Sequence, residues 1–294
     1  MPSLKEVKNR IASVNSTRKI TSAMKMVASS KLHRAQQAIE SMLPYEKGLN
    51  RIMSSFLAGA TGEIESPYSS KREIKRAAVV LFTSNSSLCG GYNSNIIREA
   101  QQAIHDLQQK QIEVVRVYAF GKKGEDALTK HLPSSIEVRG ESTLLDHPQY
   151  DPVVAVAEEI MGAYVREEID QVTLLYHHFK STASQVITTE TYLPIALEGG
   201  TVSEPTEAGP RLDYIFEPNA NELFVELVPK TLHLKLYAAM LDSLASEHAA
   251  RVVAMQVATD NADELLRDLT LTYNKTRQQA ITTELLDIVG GSMH

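Results

Sequence analysis

The sequence predicts an α/β protein: a long antiparallel coiled coil formed by its N- and C-terminal helices, plus a central α/β domain of Rossmann-like type. Three observations carry that reading. Ser3 to Leu43 contains neither Gly nor Pro, Lys230 to Val289 contains neither, and between them the hydrophobic period changes from helical to mixed. The division expected is 1–60 for the first shaft helix, 74–200 for the α/β domain and 210–294 for the second shaft helix.

The first stretch, 41 residues rich in strong helix formers, runs about 60 Å as one helix, with Pro44 its first breaker. The second, 60 residues, runs about 90 Å, bounded by Pro229 and Gly290-Gly291. Both far exceed the usual ~11–12 residues of a globular helix, and such lengths call for a coiled coil. Leu234, Tyr237, Leu241, Leu244, His248, Arg251, Met255, Ala258, Ala262, Leu265 and Leu269 alternate steps of three and four, an a/d seam. Leu4, Val7, Ile11, Val14, Thr17, Thr21, Met24, Val27, Lys31, Ala35, Ala38 and Met42 form the weaker matching seam. One helix leads into the central segment and the other leads out, so they pair antiparallel. The second is 19 residues longer, and a tip carrying Ile281, Leu285, Leu286, Ile288 and Val289 would be an aggregation hazard unless a sleeve encloses it.

In the central segment, Ala77 to Phe82 is a continuously apolar buried strand, followed by the loop Thr83 to Tyr92 and a helix from about Ser94 to Lys110. Val114 to Phe120 is the next strand, Gly121 to His131 a loop and helix, Asp151 to Glu168 a helix, and Val172 to Tyr176 and Val186 to Tyr192 are strands. This alternation argues for a largely parallel sheet flanked by helices. Glu198 to Pro210 reads as a turn-rich surface loop.

With 43% hydrophobic and 22% charged residues the chain has ordinary globular composition. Its one cysteine, Cys89, forms no internal disulfide, and an intracellular address is expected. No apolar run is long enough to span a membrane, and Met1 to Lys8 lacks the core of a signal peptide. The net charge of −6 is uneven: residues 3–43 hold eight Lys/Arg against Glu6 and Glu40, leaving −12 elsewhere. A basic segment on an acidic chain asks for an acidic partner. Nucleic acid fits poorly, because the basic helix lacks interleaved aromatics.

The loop after the first strand is where an α/β domain would hold a nucleotide. Thr83 to Asn93 contains neither a dinucleotide fingerprint nor a phosphate loop, and Gly121-Lys122-Lys123-Gly124 has the wrong spacing. Cys89 before two glycines reads as a small buried hydrophobe. The competing reading is a nucleophile served by His131, His147 or His177. His177 and His178 point to opposite faces of a strand and cannot share a metal without a bend. Glu158-Glu159 and Glu167-Glu168 read as solvated helix faces.

At the two ends the residues become diagnostic. Arg10-Ile11-Ala12-Ser13-Val14 with Lys19 to Lys31 (KITSAMKMVASSK), and Ser246 to Arg251, Ala258-Thr259-Asp260-Asn261-Ala262, Tyr273 to Gln278 and Ile281 to Glu284, closely resemble the gamma subunit of F-type ATP synthases. The loop departs from the family's Thr-Asp-Arg-Gly-Leu-Cys-Gly-Gly, with Asn85-Ser86-Ser87 before Leu88-Cys89-Gly90-Gly91. The end, Ser292-Met293-His294, replaces the family's small apolar end. No cysteine-bearing insert like that of chloroplast relatives is present.

The resemblance implies a rotor that is not itself an enzyme and carries no nucleotide, cofactor or metal. It would couple proton flow through the membrane ring of c subunits to ATP synthesis or hydrolysis on the beta subunits. Its coiled coil would sit in the hexamer of three alpha and three beta subunits, with epsilon and the c-ring clamping the foot. The membrane is met only through the c-ring, on the cytoplasmic face of a bacterial inner membrane. By the family's pattern Met24, Lys25, Arg251, Arg277, Gln278 and Thr282 meet the hexamer. Tyr214, Phe216 and Glu217, within Asp213 to Pro218, meet the c-ring and epsilon.

Overall fold

The structure is a computed structural model that describes residues 3–59, 66–69, 72–195 and 220–291. Its elements are α1 (Leu4–Gly59), β1 (Arg76–Phe82), α2 (Tyr92–Gln109), β2 (Glu113–Phe120), α3 (Lys122–His131), β3 (Glu137–Gly140), a 3-10 turn (Ser142–Leu145), α4 (Tyr150–Val165), β4 (Gln171–Ser181), β5 (Ser184–Leu193) and α5 (Ala220–Gly291). The chain divides into two compact units, Met1–Ser30 with Arg251–His294, and Lys31–Ala250.

In the larger unit the sheet order is β3-β2-β1-β4-β5. The first four strands run parallel and β5 returns antiparallel on β4. β1 is central and buried on both faces, which is why it reads as an unbroken apolar run. Its alternate residues serve two cores. Ala78, Val80 and Phe82 face α4 and the long helices with Leu49, Ile160, Tyr164, Leu236 and Met240. Val79 and Leu81 face α2 and α3 with Ile96, Ala100, Ile104 and Leu128. The expected fold class holds. β3 was not expected from the sequence, because its four residues offer only Val138 as an apolar signal.

Neither proline ends its helix. α1 continues through Pro44 to Gly59, and α5 begins at Ala220 and passes through Pro229. An interior proline costs about 3 kcal/mol through its missing N–H and its clash with the preceding turn. Here core packing on both sides offsets that cost: Leu49 and Met53 beyond Pro44, and Leu227, Val228 and Leu232 around Pro229, are all buried.

The seam of α1 also differs from expectation. One stripe of buried and half-buried positions runs through Leu4, Val7, Ile11, Val14, Arg18, Thr21, Lys25, Ala28, Leu32, Ala35, Ile39, Met42, Glu46 and Leu49. Steps of three and four alternate throughout, so the repeat is a stricter heptad than the expected series, whose steps were uneven. Val27, expected inside, is 59% exposed, whereas Ala28 is 2% exposed. Lys31 is exposed and Leu32 is buried. On α5, Leu265 is exposed and the half-buried position is Leu266. The expected seam took Thr17 and Met24 where the heptad places Arg18 and Lys25, and so slipped out of register.

Candidate functional site: the paired helices and the α5 tail

Within the smaller unit, three polar pairs fix the antiparallel register. Arg18 donates to Asp263 at 2.9 Å, the hydroxyls of Thr21 and Thr259 lie 2.8 Å apart, and Lys25 Nζ donates to Gln256 Oε1 at 2.7 Å. A charged residue at a seam position specifies register at some cost in stability. The Arg18–Asp263 pair is part-exposed, and such pairs contribute about 0.2–1 kcal/mol. The aligning value of these contacts therefore exceeds their energetic one. The same register sets Leu4, the first residue of α1, across from the turn of α5 around Arg277, so α5 runs on past the end of α1.

The six residues expected at the hexamer fall into two groups. Met24 and Lys25 are half-buried and Arg251 is 8% exposed, all on the seam side of their helices. Arg277, Gln278 and Thr282 are exposed on the part of α5 at and beyond the end of α1. There Thr282 Oγ1 donates back to the Gln278 carbonyl at 2.9 Å. Ile281, Leu285, Leu286, Ile288 and Val289 follow at 49–69% exposure. Tyr214, Phe216 and Glu217 lie outside the described residues, as do Glu198 to Pro210 and Ser292 to His294.

Sequence reasoning missed the outward apolar residues of the paired stretch. Ile20, Met26 and Val27 on α1, and Val253, Val257 and Leu271 on α5, are all exposed. The signal was available, because apolar residues off the seam of a long helix have no intramolecular partner to cover them.

The loop at the switch point of the sheet, between β1 and β4, is filled by its own hydrogen bonds. Open α/β sheets bind ligands in this crevice, with helix N-terminal N–H groups facing the phosphate. At the neighbouring start of α3, which follows β2, such groups are taken by the loop after β1. Asn85 Oδ1 accepts from Lys122 N–H, the Ser84 carbonyl from Lys123 N–H and Thr83 Oγ1 from Gly124 N–H. Gly121, at φ 114, lets α3 begin this close, since a Cβ there would strike the Thr83 carbonyl. Asn85 also donates to the Ser142 carbonyl and to Asp146, so the family departure at this position works as a neutral staple.

Cys89 is buried. Asn93 Nδ2 donates to its sulfur at 3.2 Å, Ser84 Oγ lies at 3.8 Å and the Ser86 carbonyl at 4.0 Å. None of these groups is a general base. His177, one expected partner for a reactive Cys89, instead stacks on Tyr92 with centroids 4.2 Å apart. His178 faces the other way and meets Asp242, as the strand alternation predicted.

Two long helices in antiparallel register, one outrunning the other and edged with exposed apolar residues, define a paired-helix protein that also carries an α/β sheet. Among the described residues, no helix is long and apolar enough to cross a membrane. The ATP synthase family profile matches residues 3–293. The ATP synthase gamma chain of Phocaeicola vulgatus is 54% identical over all of both chains, and that of Bacteroides thetaiotaomicron 52%. Of solved structures, the central stalk and c-ring of Tetrahymena thermophila mitochondrial ATP synthase matches at TM-score 0.59 and 25% identity, over 81% of this chain and 99% of that one. The rotor of Euglena gracilis mitochondrial ATP synthase shares the fold at TM-score 0.66 and 19% identity, over 95% and 98%. The chain belongs to the ATP synthase family, among its gamma chains, the central-stalk subunits of the complex.

Proposed function

We propose that the chain is the non-catalytic rotor of a bacterial ATP synthase, coupling proton flow through the c-ring to ATP synthesis or hydrolysis on the beta subunits. The observation that carries this reading is the α5 tail. Five large apolar side chains at 49–69% exposure beyond the end of α1 make sense only inside an enclosing sleeve. A hexamer of three alpha and three beta subunits supplies one. An asymmetric shaft presents a different face to each of three like sites, and a face biases a site only through contacts that differ between its open and closed states. Rotation exchanges those biases in turn.

In this reading Met24, Lys25, Arg251, Arg277, Gln278 and Thr282 meet the hexamer, the last three on the exposed tail. Tyr214, Phe216 and Glu217 meet the c-ring and epsilon, and the chain stands on the cytoplasmic face of the inner membrane. The test is reconstitution. Alpha and beta subunits with this chain should give a stable ATPase, while the chain alone neither hydrolyses ATP nor binds it by calorimetry. Micromolar ATP binding by the isolated chain would overturn the reading. The alternative, a free-standing enzyme using Cys89, predicts that Cys89→Ala abolishes an activity of the isolated chain. The rotor reading predicts full turnover of the complex with Cys89→Ala.

A further inference from the structure

The β1 side of β4 has a bare end. β1 pairs with β4 only as far as Leu81 opposite Leu175, yet β4 runs on to Ser181. In an extended strand the backbone groups of residues two apart point to the same edge. His177 and Phe179 therefore turn their ladder groups toward the side that β1 has vacated. Two side chains of α5 take them. Asp242 Oδ1 accepts from Phe179 N–H at 2.8 Å, and Ser246 Oγ donates to the His177 carbonyl at 3.0 Å in a fully buried contact. The second Asp242 oxygen meets His178 Nδ1 at 2.5 Å. Asp242 and Ser246 are four residues apart, one above the other on one face of α5. α5 thus completes the vacated side of β4 with side chains where a longer β1 would use backbone.

We propose that this Asp242–Ser246 clasp on β4 is a torque-bearing contact between the sheet and α5. The proposal rests on the rotor reading above. Apolar packing between helix and sheet is non-directional and lets surfaces slip. The clasp binds fixed backbone groups at set distances and resists rotation of α5 about its own axis. It is also separable from folding, because other contacts hold α5 to the domain. Tyr92 donates to the Ser243 carbonyl at 3.0 Å, Tyr192 to the Leu232 carbonyl at 3.0 Å, and Lys235 meets Glu190 at 3.2 Å.

The experiment uses the assembled complex with its hexamer fixed to a surface and a bead on a cysteine introduced at Lys110, exposed at the end of α2. Asp242→Ala, Asp242→Asn and Ser246→Ala are compared with the parent by two readouts. The first is amide exchange of the segment containing Phe179; the second is the angular variance of the bead with turnover stopped. Asp242→Ala should speed exchange at Phe179 by about tenfold and raise the variance about twofold, with two of three clasp contacts gone. Asp242→Asn keeps an acceptor for Phe179 and loses the charge toward His178, so it should fall between. Ser246→Ala should soften the junction without changing Phe179 exchange, and it supplies the test if Asp242→Ala does not assemble. Faster exchange with unchanged variance would overturn the torque role, and unchanged exchange in Asp242→Ala would overturn the clasp itself. Failure of the parent complex to rotate would instead count against the rotor reading.

Discussion

The hydroxyls of Thr21 and Thr259 meet at 2.8 Å, one between the Arg18–Asp263 and Lys25–Gln256 contacts on either side. Three successive polar rungs at the seam fix which residue of α1 lies across from which residue of α5. A shaft that is to carry orientation needs such a fixed register, since apolar seams alone tolerate slippage.

This register is testable by cross-linking. Cysteines substituted together at Thr21 and Thr259 should form a disulfide under mild oxidation in the complex, and rotation should continue, because both helices would turn as one body. A pair at Thr21 and Ala262 should form it far more slowly. Gel mobility with and without reductant reads both results.

Continuity of α1 through Pro44 gives a second expectation. Pro44 is exposed and lacks the N–H that the Glu40 carbonyl would accept. Pro44→Ala restores that bond and should stabilise the full chain by about 1–3 kcal/mol, seen as a higher urea midpoint at unchanged slope. A lower midpoint would show that the chain needs a bend there.

His177 supplies a pH dependence. Burial lowers it from the ordinary 6.5 to about 4, and its Nδ1 has no hydrogen-bond partner. Between those values the unfolded chain binds a proton that the folded chain refuses. Its contribution to stability is therefore complete above pH 6.5 and is lost as pH falls toward 4, at up to about 1.4 kcal/mol per unit. His177→Phe keeps a ring against Tyr92 and removes the titration. Urea unfolding of the full chain between pH 7.5 and 5 should show a shallower decline for the variant, and parallel curves would refute the assignment.

Arg277 is exposed on α5, where a guanidinium can hold a carboxylate of the sleeve through two parallel hydrogen bonds. Arg277→Lys should leave assembly intact and slow turnover, and Arg277→Ala should slow it further. A charge-assisted contact shielded in the complex is worth about 1.5–3 kcal/mol. Single-molecule dwell times distinguish slowed steps from lost particles. Unchanged dwells in both variants would make Arg277 a solvated charge and leave coupling to shape alone.

Much of the fold was legible because it rests on long patterns. The heptads of α1 and α5 and the apolar run of β1 each repeat one signal many times. What escaped was decided by packing rather than pattern. Pro44 and Pro229 look like breakers until flanking core residues outweigh them, and Arg18 and Lys25 look unfit for a seam until their partners across it are known. β3 holds its edge with one apolar residue. For the candidate site, the apolar tail could be read directly, whereas the outward placing of Ile20, Met26 and Val27 depended on the heptad register. The tying of the β1 loop to α3 followed from side-chain hydrogen bonds by Thr83 and Asn85 that no glycine spacing announces.

The rotor reading requires that the chain turn inside its sleeve. The direct measurement attaches a bead to a cysteine at Lys110, holds the reconstituted hexamer by its alpha or beta subunits and adds ATP. The expected result is unidirectional rotation in three equal steps per turn, at a rate set by ATP concentration. Full ATP hydrolysis with a bead that only fluctuates about one angle would contradict it.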